Sequence, residues 1–94
     1  MALILANDGI HPAGKEILEN AGFQVQTDKV AQDDLAEFIN QNNVVAVLVR
    51  SATQVTEQEL VCPSLKAIGR AGVGLDNIDL KSAEANGVAV ENTP

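Results

Sequence analysis

Two unbroken apolar runs, "ALILA" at residues 2–6 and "VVAVLV" at residues 44–49, constrain the fold of this chain more than any other feature. Each is only as long as a strand, and neither alternates apolar with polar residues, so both sides of each strand are suited to an interior. Strands of that kind belong to parallel sheets, and parallel neighbours need a crossover between them, usually a helix. The intervening "PAGKEILENAGF" has the form of one. Pro12 stands at a helix-start position, Gly22 supplies a stop, and Ala13, Ile17, Leu18 and Ala21 share one helical face.

The remainder repeats the alternation. "FQVQ" reads as a short second strand. "QDDLAEFINQN" reads as a helix with Asp33 and Asp34 in its first turn, where the helix dipole favours negative charge, and with Leu35, Phe38 and Ile39 as its apolar stripe. "TEQEL" matches the capping box through Thr56 and Glu59, and Pro63 closes that short helix. "LKAIG" is a fourth strand, "DLKSAEANG" a fourth helix with Gly87 as its left-handed stop, and "VAVEN" a fifth strand. Strand and helix alternating in this way, with short loops, predict right-handed crossovers and an α/β fold, a doubly wound parallel sheet with helices on both faces. The expected topology is flavodoxin-like, five strands in the order 2-1-3-4-5. No internal repeat or linker interrupts it. The sequence ends at "ENTP", directly after the fifth strand, which predicts exposed apolar surface around Val88 and Val90.

Composition narrows the function. A chain of 94 residues holds one core, and 46% apolar residues are ample to fill it. Thirteen acidic against six basic residues give a net charge of -7, which argues against nucleic acid and anionic membrane as partners. Phe23 and Phe38 are the only aromatics, too few for base or flavin stacking. The single cysteine, Cys62, reads as a small buried residue, and no ligand cluster suggests a metal. No apolar run reaches bilayer length and no signal segment opens the chain, so a cytoplasmic location is expected.

In open parallel sheets, ligands bind beyond the carboxyl ends of the strands. The only two arginines, Arg50 and Arg70, fall directly after "VVAVLV" and "LKAIG". If those strands are neighbours, about 4.8 Å apart, both guanidinium groups open on one edge. Two forked donors on one rim of an acidic protein read as a clamp for carboxylate or phosphate; the plainer alternative is that each pairs with a surface carboxylate. The turn "GVGLDN" holds Gly72 and Gly74 but has Asn77 where a dinucleotide loop needs a third glycine, and the acidic partner further on is missing. Its backbone N–H groups could form a small nest for a carboxylate, or the turn could be structural, with Asp76 and Asn77 capping the segment after it. His11, the only histidine, reads as a loop residue near a helix start with no catalytic role.

Taken together, "RSATQVT", "LKAIGRAGVGLDNIDLKSA" and "NGVAVENTP" resemble the amino-terminal part of D-isomer-specific 2-hydroxyacid dehydrogenases, most closely the members that act on 3-phosphoglycerate. The resemblance covers the whole chain, and its specific part runs from Arg50 to Pro94. It implies a two-domain subunit, a homo-oligomer, in which a flavodoxin-like substrate domain is interrupted by a Rossmann domain that binds NAD. Residues 1–94 would be the first part of the substrate domain. By resemblance, the backbone around Gly72, Val73 and Gly74 holds the substrate carboxylate. Arg50, with Ser51 beside it, and Arg70 face the phosphate end of a small anionic substrate, a phosphorylated 2-hydroxy acid. The activity implied is oxidation of 3-phosphoglycerate to 3-phosphohydroxypyruvate, the first step of serine biosynthesis. The family's catalytic histidine, the acid that assists it, its carboxylate-binding arginine and its G-x-G-x-x-G loop have no counterpart here, so the chain alone is expected neither to catalyse nor to bind NAD.

Other readings of the same fold are weaker. A receiver domain needs a phosphoacceptor aspartate after strand three, where Arg50 stands, and flavodoxin needs a hydroxyl-rich loop after strand one, where "NDGIHP" stands. A dehydrogenase for another D-2-hydroxy acid, or a stand-alone binding domain, stays open.

Overall fold

The structure, a computed structural model, describes residues 2–71 and 77–93. Five parallel strands, β1 (Leu3–Ala6), β2 (Gln24–Gln26), β3 (Val44–Val49), β4 (Ala67–Ala71) and β5 (Ala89–Thr93), form one sheet in the order β2-β1-β3-β4-β5. Helices α1 (Pro12–Asn20), α2 (Leu35–Asn42), α3 (Glu57–Leu60) and α4 (Leu80–Ala85) make the crossovers. This is the expected α/β topology. The order of strands reverses between β1 and β3, so with right-handed connections α1 lies on one face and α2 to α4 on the other.

The core sits on the second of these faces. Val47, Val49 and Ile68 of the sheet pack with Leu35 and Ile39 of α2, Leu60 of α3 and Ala83 of α4, all nearly or fully buried. Burying a side chain such as Leu35 or Ile39 contributes about 1.5–3 kcal/mol. The other face is thinly covered. None of the α1 residues expected to form an apolar stripe is buried, and Ile17 is 69% exposed. The helix packs chiefly against the short edge strand β2, and of that apolar set only Leu18 is half-buried.

Local signals account for most boundaries. Pro12 is at the first turn of α1 and Gly22 takes a φ of +100° just beyond its end. Gly87, at φ +70°, follows α4 as expected. Asp33 and Asp34 belong to a separate 3-10 turn, Gln32–Asp34, and the α-helix proper starts at Leu35. Glu59 and Thr56 form the expected reciprocal cap, with the Glu59 carboxylate accepting from the Thr56 backbone at 2.7 Å. Strand β4 starts two residues later than "LKAIG" and runs through Arg70, which is therefore inside the strand and not after it.

The expectation of exposed apolar surface at Val88 and Val90 is corrected. Val88 is 6% exposed and Val90 is partly buried against the core, because both face the α4 side. Ala89 and Glu91 of β5, on the opposite face, are exposed.

Candidate functional site

A cleft of about 310 Å³ opens at the carboxyl ends of β3 and β4. Arg50 and Arg70 both line it, with Leu48 and Gly69 beneath them, His11 from the loop before α1, and Glu91 from β5. The strands are hydrogen-bonded neighbours, with Val49 paired to Arg70, so the two arginines are one register step apart across the sheet. Gly69 keeps the floor low, because a Cβ there would stand 2.8 Å from Leu48 Cδ2. Among the described residues the one ion pair joins Lys29 to Asp8, so neither arginine is neutralised by a described carboxylate.

The loop after β3, residues 50–53, carries Arg50 and the exposed Ser51, and it is held by side chains from two other loops. From the β1 side, the Asp8 carboxylate accepts from the Arg50 backbone at 2.7 Å, the Thr53 backbone at 3.0 Å and the Thr53 hydroxyl at 2.6 Å. Asn7 donates to the same hydroxyl at 2.9 Å and ties Val30 to the site through its carbonyl oxygen at 2.7 Å. From the β4 side, the Asn77 amide nitrogen donates to the Arg50 and Thr53 carbonyls, each at 2.7 Å. The Asn77 oxygen accepts from Arg70 Nε at 2.9 Å.

The Asp8 side chain is only 4% exposed. Burial is the largest single influence on it and pushes the carboxyl up. The hydrogen bonds from Thr53 and Arg50, with Lys29, together outweigh burial and hold the group below the ordinary aspartate range. It is an anion fixed in place to organise a loop.

The starts of α1, α3 and α4 offer no seat for a dinucleotide. At α1, Pro12 removes one N–H and His11 Nδ1 accepts from Ala13 at 3.1 Å. At α4, the Asp79 carboxylate accepts from Ser82 at 3.1 Å, and at α3 the Glu59 carboxylate accepts from the Thr56 backbone at 2.7 Å. A pyrophosphate needs free N–H groups and meets carboxylates at two of these ends. At these three helix starts the described residues do not fit the pyrophosphate of NAD. Among the described residues no group of His, Cys, Asp and Glu could hold a metal ion, and no helix is long and apolar enough to cross a membrane.

Residues 3–94 match the family described as D-isomer specific 2-hydroxyacid dehydrogenase, catalytic domain. The chain belongs to the D-isomer specific 2-hydroxyacid dehydrogenases. It is 42% identical over 93 residues to D-3-phosphoglycerate dehydrogenase of Bacillus subtilis (strain 168), covering 96% of this chain and 16% of that protein. The enzyme of the same name from Sus scrofa is 36% identical over 93 residues, covering 97% of this chain and 17% of that protein. The chain thus spans about a sixth of the length of these curated relatives. Among solved structures, cofactor (NAD+)-bound 3-phosphoglycerate dehydrogenase of Entamoeba histolytica superposes with a TM-score of 0.80 at 30% identity, covering 100% of this chain and 33% of that one.

Within this 2-hydroxyacid dehydrogenase fold, the residues singled out in the sequence divide into three groups. Arg50 and Arg70 share the cleft, and Ser51 is exposed beside Arg50. Gly72, Val73 and Gly74, the expected carboxylate nest, lie outside the described residues, as does Asp76. Asn77 and His11 have roles the sequence reading did not assign. The cap of α4 is Asp79 and not Asn77, whose side chain joins Arg70 to the 50–53 loop. His11 caps α1 and lines the cleft. Asn7, Asp8, Thr53 and Glu91 were missed. The signal for the first two was their place: polar residues directly after a buried strand, beside the reversal of strand order.

Proposed function

We propose that this chain is the amino-terminal part of the substrate domain of an NAD-dependent D-3-phosphoglycerate dehydrogenase, and that Arg50 and Arg70 grip the phosphate end of its substrate. The observation that carries the reading is the shared cleft: two arginines on adjacent strands, one register step apart, with no described carboxylate neutralising either. Two guanidinium groups so placed suit the several acceptor oxygens of a phosphate better than the two of a carboxylate. The relatives that bear the name D-3-phosphoglycerate dehydrogenase support the same substrate.

On this reading the full subunit, a cytoplasmic homo-oligomer, oxidises 3-phosphoglycerate to 3-phosphohydroxypyruvate, which opens serine biosynthesis. Arg50 and Arg70 orient the phosphate, Ser51 adds a hydroxyl to the same rim, and the backbone of Gly72, Val73 and Gly74 receives the carboxylate. NAD supplies the hydride acceptor when bound elsewhere in the subunit; the residues of this chain are assigned no part in hydride transfer. The 94 residues by themselves are inactive.

The test is made in the full-length subunit. Arg50→Ala and Arg70→Ala each remove charge-assisted hydrogen bonds worth about 1.5–3 kcal/mol, so kcat/KM for 3-phosphoglycerate falls roughly tenfold or more. The loss is selective against a phosphate-free D-2-hydroxy acid. Equal losses on both substrates, or full activity in both variants, would refute the clamp.

A further inference from the structure

We infer that Asn77 is the positioning residue that places the two arginines of the clamp relative to each other. The inference rests on the reading of Arg50 and Arg70 just given and adds the part that aligns them. A strand pairing fixes only backbones, and a guanidinium on a long side chain has several rotamers to choose from. The Asn77 side chain narrows that freedom at Arg70 by accepting from Nε at 2.9 Å, while Nη1 reaches the Ala71 carbonyl at 3.5 Å and the residue lines the cleft. The same amide donates to the carbonyls of Arg50 and Thr53 at 2.7 Å each, so one planar group sets the orientation of Arg70 and the path of the loop bearing Arg50.

Asn77 is itself well held. Its carbonyl accepts from the Val55 backbone at 2.8 Å, and the Asp79 backbone donates to the Val55 carbonyl at 2.9 Å, giving a parallel bridge between Val55 and Ile78. No other residue type does the same work at this length. Aspartate retains the acceptor for Arg70 but confronts two carbonyls with an anion. Leucine, of similar volume, supplies neither donors nor acceptor.

The experiment uses the full-length subunit and compares KM for 3-phosphoglycerate with KM for a phosphate-free D-2-hydroxy acid. In Asn77→Ala the ratio of the two rises roughly threefold to tenfold, the change lying in KM more than in kcat. Asn77→Asp does not restore it. In an Arg70→Ala background the effect of Asn77→Ala shrinks, because part of what Asn77 aligns is already gone. An unchanged ratio, rescue by Asn77→Asp, or effects that multiply in the double variant would overturn the inference. A general disruption of the domain would raise both KM values together and leave the ratio where it was. Should Asn77→Ala fail to fold, Asn77→Ser carries the same test with one donor and one acceptor retained: an intermediate rise in the ratio is expected, and none overturns the inference. Arg50→Ala and Arg70→Ala are the controls. If they show no selectivity for phosphate the clamp itself is wrong, whereas selectivity there without selectivity at Asn77 removes only the positioning role.

Discussion

Replacing Asp8 with asparagine tests how the loop after β3 is held. The carboxylate accepts from the Arg50 and Thr53 backbones at 2.7 and 3.0 Å, from the Thr53 hydroxyl at 2.6 Å, and from Lys29 at 3.3 Å. Asparagine has one acceptor oxygen, so its NH₂ must confront either the two backbone N–H groups or the Thr53 hydroxyl and Lys29. The hydroxyl can rotate and accept, and Lys29 is 54% exposed and contributes little. That favours the oxygen facing the backbone, with the charge lost and one donor weakened. The cost is about 2–4 kcal/mol, and it falls on local opening of residues 50–53. Amide exchange at Arg50 and Thr53 should then accelerate roughly 30- to 900-fold at neutral pH. The sign of the pH dependence is set by the depressed carboxyl. The stabilisation from Asp8 is fully present above the ordinary value of about 3.9 and fades as pH falls through the lower folded value, so wild type and variant converge only in acid. Wild-type exchange at both amides in the variant, or a difference between the two proteins that persists undiminished in strong acid, would show that Asp8 does not hold the loop.

Two further outcomes are expected. Glu91 lines the same cleft as the arginines and opposes an anion there, so Glu91→Gln in the full-length subunit should tighten 3-phosphoglycerate binding roughly two- to fivefold, read as a lower KM; weaker binding would mean that the carboxylate helps to hold the site. Burial, with the nearby Glu59, pushes the Cys62 thiol up, so iodoacetamide at pH 8 should label it only after denaturant is added; rapid labelling in native buffer would contradict the buried position.

The topology was legible because each buried strand carries an unbroken apolar run and most helices carry a stop or cap of known chemistry, such as Gly22, Gly87 and the Thr56–Glu59 pair. The stop after α2 was not. Asn43 takes a φ of 52°, a left-handed position that asparagine fills without the signature of glycine. The pattern of Ala13, Ile17, Leu18 and Ala21 reports that a helix is amphipathic but not what lies opposite, and so it does not fix burial. The same limit applies to the site. Arg50 and Arg70 stood out by rarity and by their place after apolar runs. Asn7, Asp8, Thr53 and the actual role of Asn77 did not, since side chain to backbone bonds spanning 23 to 45 positions leave no periodic trace in the sequence.

The bridge between Val55 and Ile78 restricts how this edge of the protein can change over evolutionary time. It ties the segment after β3 to the segment before α4, and Asp8 and Asn77 grip the intervening turn from opposite sides. Inserting or deleting one residue between Arg50 and Val55 would shift Thr53 out of reach of both grips while the bridge stayed in place. Diversification of substrate preference among descendants of this sequence should therefore proceed by exchange of side chains at fixed loop length. A sequence comparison restricted to this segment should show substitutions at Ser51 and Arg50 far more often than gaps.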